Sequence, residues 1–114
     1  VRAFFDIKID DLIQRQLPRI WIDPGIGFGK TLEHNLEIMR NLSMFKEEEW
    51  GLFLGSSRKS WIDQLCNAPT PSDRLGGSIA SALASILHGV EIIRVHDVQE
   101  TAQAISVAKE LALF

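Results

Sequence analysis

Apolar positions along this chain recur in two alternating patterns. Phe4, Phe5, Ile9, Leu12, Ile13 and Leu17 fall at helical spacing, and Pro18 ends that segment. A short uninterrupted run, Arg19–Ile22, then reads as a strand and opens into a glycine-rich stretch. Helical periodicity returns from about Leu32 to Met44, with Leu36, Ile38, Met39 and Leu42 on or near one stripe. The charged turn Lys46-Glu47-Glu48-Glu49 leads into a second apolar strand, Trp50–Leu54, closed by Gly55. A short helix carrying Trp61, Ile62 and Leu65 follows, and then a loop with two prolines, Asn67–Ser72. Ser72-Asp73-Arg74 starts a long helix whose small residues, Gly77 to Leu87, require a close packing partner; Gly89 caps it. The third strand is Val90–Val95. The last helix starts at Val98 or Glu100 and runs to about Leu113, with Ala102, Ile105, Ala108, Leu111 and Ala112 inward.

The order is thus a helix, then strand–helix three times. The strand segments are continuous apolar runs rather than alternating ones, which predicts an α/β fold with parallel strands covered on both faces. Each repeat has the length of one crossover unit, about 30 residues. Three strands do not close a barrel, which takes about 250 residues. The 114 residues therefore predict either a small open sheet or part of a larger barrel, as a single domain. The chain opens on Val1 rather than methionine, so a longer polypeptide is expected. No basic segment followed by an apolar one opens the chain, so no signal peptide is expected. The apolar runs are too short to span a membrane. Arginine and lysine are scattered among acids at a net charge of -3, which argues against nucleic acid as a partner. Cys66 has no second cysteine to pair with, which fits a reducing compartment. His34, His88 and His96 lie far apart, without a Cys or carboxylate pattern at metal-ligand spacing, so no protein-only zinc site is expected.

Polar chemistry gathers at the ends of the three strands. Residues 23–30 read Asp-Pro-Gly-Ile-Gly-Phe-Gly-Lys. A phosphate-cradling loop would need glycine where Pro24 stands, and a dinucleotide fingerprint would need it where Lys30 stands, so both are rejected. Lys30 reads as a helix-start surface residue. Ser57-Arg58-Lys59-Ser60 follows the second strand, and Arg94 and His96 end the third, two apart and therefore on one face. Ligands bind at the carboxyl ends of parallel strands in open sheets and in barrels alike. Asp23 can accept from the paired N–H groups of a heterocycle, or be a buried acid paired with a cation. Arg94 can stack on a flat ring or grip phosphate, or pair with Asp23 or Asp97. Lys59 can donate to an anion near a helix start; Arg58 and Lys59 can equally be solvated loop charges. Ser60 can cap its helix. His96 can donate to a leaving anion or act as a general acid, or be a structural histidine beside Asp97. Phe28 can wall an aromatic ligand or simply pack. His34 and His88 lie on helices away from the strand ends and read as structural. Together these residues suggest a site for a flat polar heterocycle bearing an anionic group.

Asp23-Pro-Gly-Ile-Gly-Phe-Gly-Lys30, Gly55-Ser-Ser-Arg-Lys-Ser60 and Arg94-Val-His-Asp-Val98 resemble dihydropteroate synthase in order and spacing, as does Arg74-Leu-Gly-Gly-Ser78. The resemblance covers essentially the whole chain. It implies the C-terminal three strand–helix units of a TIM (β/α)8 barrel, one incomplete domain over residues 1–114. The family is a transferase: it joins a dihydropterin methyl diphosphate to p-aminobenzoate, giving dihydropteroate and diphosphate for folate synthesis. By that resemblance Asp23, Lys59 and Arg94 would bind the pterin. Gly27, Phe28, Arg58 and Ser60, with Lys59 beside them, would line the aminobenzoate pocket, where sulfonamides compete. His96, with Arg94, would bind the diphosphate, and Lys59, Arg94 and His96 would carry the catalytic work. Magnesium is the implied cofactor, its protein ligand an asparagine on the first barrel strand, outside this chain. A cytoplasmic homodimer is implied for the complete enzyme, and little or no activity for these residues alone. Two alternatives stand beside it: the methyltetrahydrofolate-binding module of a corrinoid-dependent methyltransferase, and a non-catalytic barrel fragment.

Overall fold

The computed structural model describes residues 5–8 and 19–114; residues 5–8 are helical, and the rest of the first predicted helix lies outside the described residues. Three parallel strands follow, β1 (Trp21–Ile22), β2 (Gly51–Leu54) and β3 (Ile92–Ile93). Their spatial order is β1-β2-β3. Trp21 pairs with Gly51 and Ile22 with Leu52, while Phe53 pairs with Ile92 and Leu54 with Ile93. The connections are α1 (Leu32–Arg40), a 3-10 turn at Leu42–Phe45, α2 (Ser60–Cys66), a second 3-10 turn at Pro71–Arg74, and α3 (Leu75–Leu87); α4 (Val98–Glu110) closes the chain.

β2 matches its apolar run, but β1 and β3 are shorter than the runs Arg19–Ile22 and Val90–Val95. Among the described residues each of these outer strands has a neighbour on one side only, so regular pairing stops early. Ladder bonds nevertheless continue: Gly51 N–H donates to Ile20 O at 2.9 Å, and Arg94 N–H to Leu54 O at 2.9 Å. The expectation of strands covered on both faces is met in part: on β2 the face carrying Leu52 and Leu54 is fully buried, while Phe53 on the opposite face is half-buried, and the outer pair is more open still. Trp21 is 41% exposed and Ile92 38%, because within this chain the outer strands have cover on one face.

The main core joins Ile22, Leu52 and Leu54 of the sheet to Met39, Leu42, Trp61 and Ile62 of the covering helices. The helix expected over Leu32–Met44 breaks at Asn41, whose side-chain N–H donates to Glu37 O at 2.8 Å, and the remainder continues as a 3-10 turn. The last helix buries Thr101 and Ala108 and leaves Ala102, Leu111 and Ala112 exposed, which corrects the inward face drawn from spacing. Ala108 keeps its expected inward place and Ile105 is half-buried; Thr101 takes the place expected of Ala102, and Leu111 and Ala112 lie beyond the helix end at Glu110. Of the loop expected over Asn67–Ser72, Pro71 and Ser72 belong to the 3-10 turn, and the rest is held down: the Arg74 guanidinium donates to Ala68 O at 2.7 Å and Pro69 O at 2.9 Å. Gly89 follows α3 at φ +96, and its N–H donates to Ile86 O, as a helix-ending glycine does.

At the amino ends of the strands, Glu91 takes Arg19 at 3.0 Å and Lys46 at 3.2 Å. Hydrogen bonding from Lys46 and the Arg19 charge hold its carboxyl below the usual range. Two glycines in α3 differ in what surrounds them. A Cβ on Gly77 would lie 2.5 Å from a methyl of the buried Ile62, whereas one on Gly76 would meet nothing within 4 Å. Overpacking costs about 1–3 kcal/mol, which outweighs the ~0.8–1.0 kcal/mol that alanine returns in a helix. Gly77→Ala is therefore expected to lower the thermal unfolding midpoint of the full-length protein. Gly76→Ala is expected to keep or raise it, and equal losses in the two variants would refute close α2–α3 packing as the cause.

Candidate functional site at the strand carboxyl ends

The loop after β1 is built by its own polar groups. Asp23 is half-buried, and its Oδ1 accepts the Gly25 N–H at 2.8 Å. Phe28 N–H closes a turn onto Gly25 O at 3.1 Å. Ile26, 1% exposed, plugs the loop into the core. Asn35, buried on α1, accepts the Gly27 N–H through Oδ1 at 2.9 Å. The Lys30 ammonium donates to Gly25 O at 2.9 Å and Phe28 O at 3.3 Å. The expectation that Lys30 is a plain surface residue therefore gives way: it ties the loop's carbonyls together.

Lys59 reaches this loop from the end of β2. Its Nζ donates to Ile26 O at 3.1 Å and lies 4.1 Å from the centre of the Phe28 ring, which is itself 64% exposed. Gly27 is required here for two reasons. Its φ is +89, and a Cβ would sit 3.2 Å from the Lys59 side chain. Desolvation, then the Arg94 charge, pushes the Lys59 ammonium below its ordinary value; Asp23 opposes this and Lys30 adds to it. A base with a lowered folded value is disfavoured as a cation in the fold, and that cost falls as pH rises toward the unfolded value. An anion placed beside it would relieve the cost.

Lys59, Arg94 and His96 line one pocket of about 250 Å³ together with Gly55, Ser57 and Val95. Arg94 lies across Gly55, where a Cβ would come within 2.6 Å of its guanidinium, and 5.8 Å over the Phe53 ring. Among the described residues no carboxylate forms a salt bridge with Lys59 or Arg94, so the ion pairs considered for Arg94 with Asp23 or Asp97 do not form. His96 is held by Ser57 rather than Asp97. Its backbone N–H donates to the buried Ser57 Oγ at 3.2 Å, and its Nδ1 lies 3.0 Å from the same oxygen. Ser57 Oγ can give its hydrogen to Nδ1 while accepting from the backbone, and in that tautomer the Nε2 proton is available to a ligand.

Of the other expected residues, Asp23, Gly27 and Phe28 lie in the loop that Lys59 reaches rather than in this pocket's lining, and Arg58 and Ser60 stand apart from both. Arg58 forms a two-point pair with Asp97, Nη2 to Oδ1 at 2.7 Å and Nε to Oδ2 at 3.2 Å. It is neither a solvated loop charge nor a free cation. Ser60 is exposed as the first residue of α2 and does not cap it: Lys59 occupies the cap position, without a side-chain hydrogen bond. Sequence reasoning gave no role to Ser57, Asn35 or the Asp97 partner of Arg58. Asn35 alone left a usable signal, a polar residue four before Met39 on a buried helix face.

Hydrogen bonding by Arg58, joined by its charge and that of His96, holds the Asp97 carboxyl below the ordinary 3.8 against some desolvation. A depressed folded value stabilises the fold above the unfolded value, and this is lost as pH falls through the folded one. Asp97→Asn is expected to destabilise the full-length protein at neutral pH and to flatten part of its acid-side loss of stability. Unfolding midpoints followed from neutral to acid pH check this; an unchanged slope would show that the pair contributes nothing.

Residues 1–96 match the family described as "Pterin binding enzyme". The dihydropteroate synthase of Escherichia coli strain K12 is 46% identical over 91 residues, covering 80% of this chain and 32% of that protein. The dihydropteroate synthase of Synechocystis is 40% identical over 115 residues, covering 97% of this chain and 39% of that protein. The chain thus spans 32% to 39% of the length of these curated relatives. Among solved structures, dihydropteroate synthase from Thermus thermophilus superposes with a TM-score of 0.91 at 35% identity, over 97% of this chain and 44% of that one. That protein has also been solved with 4-aminobenzoate and with 6HMPPP. Of the two expected architectures, the open sheet falls away, and the three parallel units are part of a TIM barrel. The chain belongs to the pterin binding enzyme family, and the relatives it matches there are dihydropteroate synthases.

Proposed function

We propose that the polypeptide carrying this chain is a dihydropteroate synthase, and that these residues are the C-terminal part of its single barrel domain. The supporting observation is the convergence of Lys59, Arg94 and His96 on one pocket beside the Asp23 loop, in a chain whose relatives carry that activity. The substrates are a dihydropterin methyl diphosphate and p-aminobenzoate. The chemistry is departure of diphosphate from the pterin methylene and attack there by the arylamine. The leaving group needs its charge neutralised, and the nucleophile needs to be held in line.

Each residue has a part in this. Asp23, half-buried at the end of β1, accepts from the amino-pyrimidine edge of the pterin through the oxygen that Gly25 leaves open. Arg94, lying flat across Gly55 without a carboxylate partner, stacks on the pterin face and meets the departing charge. His96, fixed through Nδ1, donates from Nε2 to the diphosphate. Lys59 bridges the two substrates, its ammonium toward the pterin and its stem toward the aminobenzoate. Gly27 and Phe28 wall the aminobenzoate side, Ser60 meets the carboxylate, and Arg58 borders that pocket through its pair with Asp97. Sulfonamides compete for this side.

Magnesium, when bound, would supply positive charge that offsets the charge of the departing diphosphate. Its protein ligand is assigned by the resemblance to an asparagine on the first barrel strand, outside this chain. The complete enzyme is a homodimer, a reading supported by the apolar groove of about 590 Å³ between α3 and α4, lined by Leu83, Val107 and Leu111. The complete enzyme is assigned to the cytoplasm by its resemblance to the family; among the described residues no helix is long and apolar enough to cross a membrane.

Lys59→Ala in the full-length protein is expected to lower kcat/KM about ten- to a hundredfold, the loss of a hydrogen-bonded charge; unchanged turnover would sink the role given to Lys59. Gly55→Ala is expected to displace the flexible Arg94 head. Activity should fall about tenfold while the unfolding midpoint moves by roughly 2 °C or less, because an exposed arginine can swing away at little cost. A parallel collapse of stability would show that Arg94 is a structural residue. The isolated 114 residues are expected to turn over neither substrate, since the remaining strands and their substrate contacts are absent; full activity in a product assay would overturn the reading of this chain as part of a site.

A further inference from the structure

The peptide groups on both sides of Arg58 are gripped from the start of α3. The Arg58 N–H donates to Ser78 Oγ at 2.8 Å, and the Arg58 carbonyl accepts from Arg74 Nη1 at 2.8 Å. The Ser78 hydroxyl donates to Arg74 O at 2.6 Å, so its hydrogen is committed and its lone pairs are left for the Arg58 amide. Ser78 is 4% exposed and Arg74 8%. The remaining Arg74 nitrogens hold Ala68 O and Pro69 O. Between the two grips Arg58 lies in the left-handed region, at φ 56. A residue with a side chain persists there only when its surroundings over-determine it. Lys59 follows immediately in extended geometry, at φ -71 and ψ 153. The direction in which its stem leaves the backbone is therefore set at the Arg58 turn. Neither Arg74 nor Ser78 lines the Lys59 pocket, so any effect they have on it passes through that turn.

We propose that Arg74 and Ser78 are positioning residues for Lys59: by holding the Arg58 amide and carbonyl they fix the left-handed turn that lays the Lys59 side chain across Gly27 and against Phe28. The kinetic form of the proposal rests on the synthase reading; the structural form does not. Lys59 reaches both substrates, but Gly27 and Phe28, against which its side chain lies, wall the aminobenzoate side, whereas the pterin keeps Asp23 and Arg94, which do not depend on this turn. Loosening the turn therefore weakens one substrate more than the other.

The test compares Ser78→Val with Ser78→Thr in the full-length protein. The two side chains match in volume, and threonine alone keeps the oxygen. Ser78→Val is expected to raise KM for p-aminobenzoate about three- to tenfold, the worth of one hydrogen bond, with KM for the pterin diphosphate moved less than about twofold. Ser78→Thr should behave like the parent. A merely structural Ser78 would instead lower the amount of active enzyme, so apparent kcat would fall with both KM values unchanged, and that result overturns the proposal. Hydrogen exchange at the Arg58 amide is measured on the same proteins: protection should persist in the threonine variant and fall in the valine variant, and equal exchange in both overturns the proposal. If the parent makes no dihydropteroate, the synthase reading has failed, and the exchange result alone decides the positioning role. If the added methyl group prevents folding, Ser78→Ala against the parent gives both readouts.

Discussion

β2 is paired in parallel on both edges, and that constraint organises the remainder of the chain. Strands running in one direction bring all three carboxyl ends to the same rim. Leu52 and Leu54 are fully buried, so the register of β2 cannot slip by one residue without turning its apolar side chains over. Once the register is set, Ser57 stands beside His96 and Arg58 beside Asp97, and two loops far apart in sequence are tied by a serine–histidine contact and a two-point ion pair. The opposite rim is tied by Glu91, which takes Arg19 and Lys46. Stabilising contacts and candidate chemistry thus occupy opposite ends of the same sheet.

The carboxyl rim divides its charges between two uses. Arg58, Arg74 and Lys30 are consumed by the protein: one pairs with Asp97, and the other two bond loop carbonyls. Lys59 and Arg94 are held without a carboxylate partner among the described residues. Lys59 is partly desolvated, and its charge is disfavoured by the neighbouring arginine. Two uncompensated cations beside each other are unfavourable in an empty protein and favourable around a phosphorylated ligand. The turns at Gly27 and Arg58 keep Lys59 from relaxing toward other partners.

Much of this was legible beforehand. Continuous apolar runs separated by helical periodicity showed parallel strand–helix units, and turn residues placed Asp23, Lys59, Arg94 and His96 at strand ends. The resemblance of the three motifs to dihydropteroate synthase was matched by the relatives found. Less visible were the supporting contacts. Arg58 read as a loop charge or pocket border, because a sequence does not show that Asp97, thirty-nine residues away, faces it. Ser60 read as a cap, because serine at a helix start usually is one, whereas the chain begins its turn one residue earlier.

The residue pattern settled which segments are strands, which are helices and which loops carry chemistry, because periodicity and turn preferences are local properties of the chain. Partnership is non-local. Whether Arg94 pairs or stands free, whether Lys30 is surface or loop tie, and whether Ser78 serves α3 or the turn before Lys59 depend on groups that meet after the sheet has formed. Strand length at β1 and β3 also depends on neighbours, since an edge strand keeps its regular pairing only as far as another backbone runs beside it. Packing and hydrogen-bond geometry in three dimensions assigned those roles, and they separate the cations that hold the loops from those left to meet a ligand.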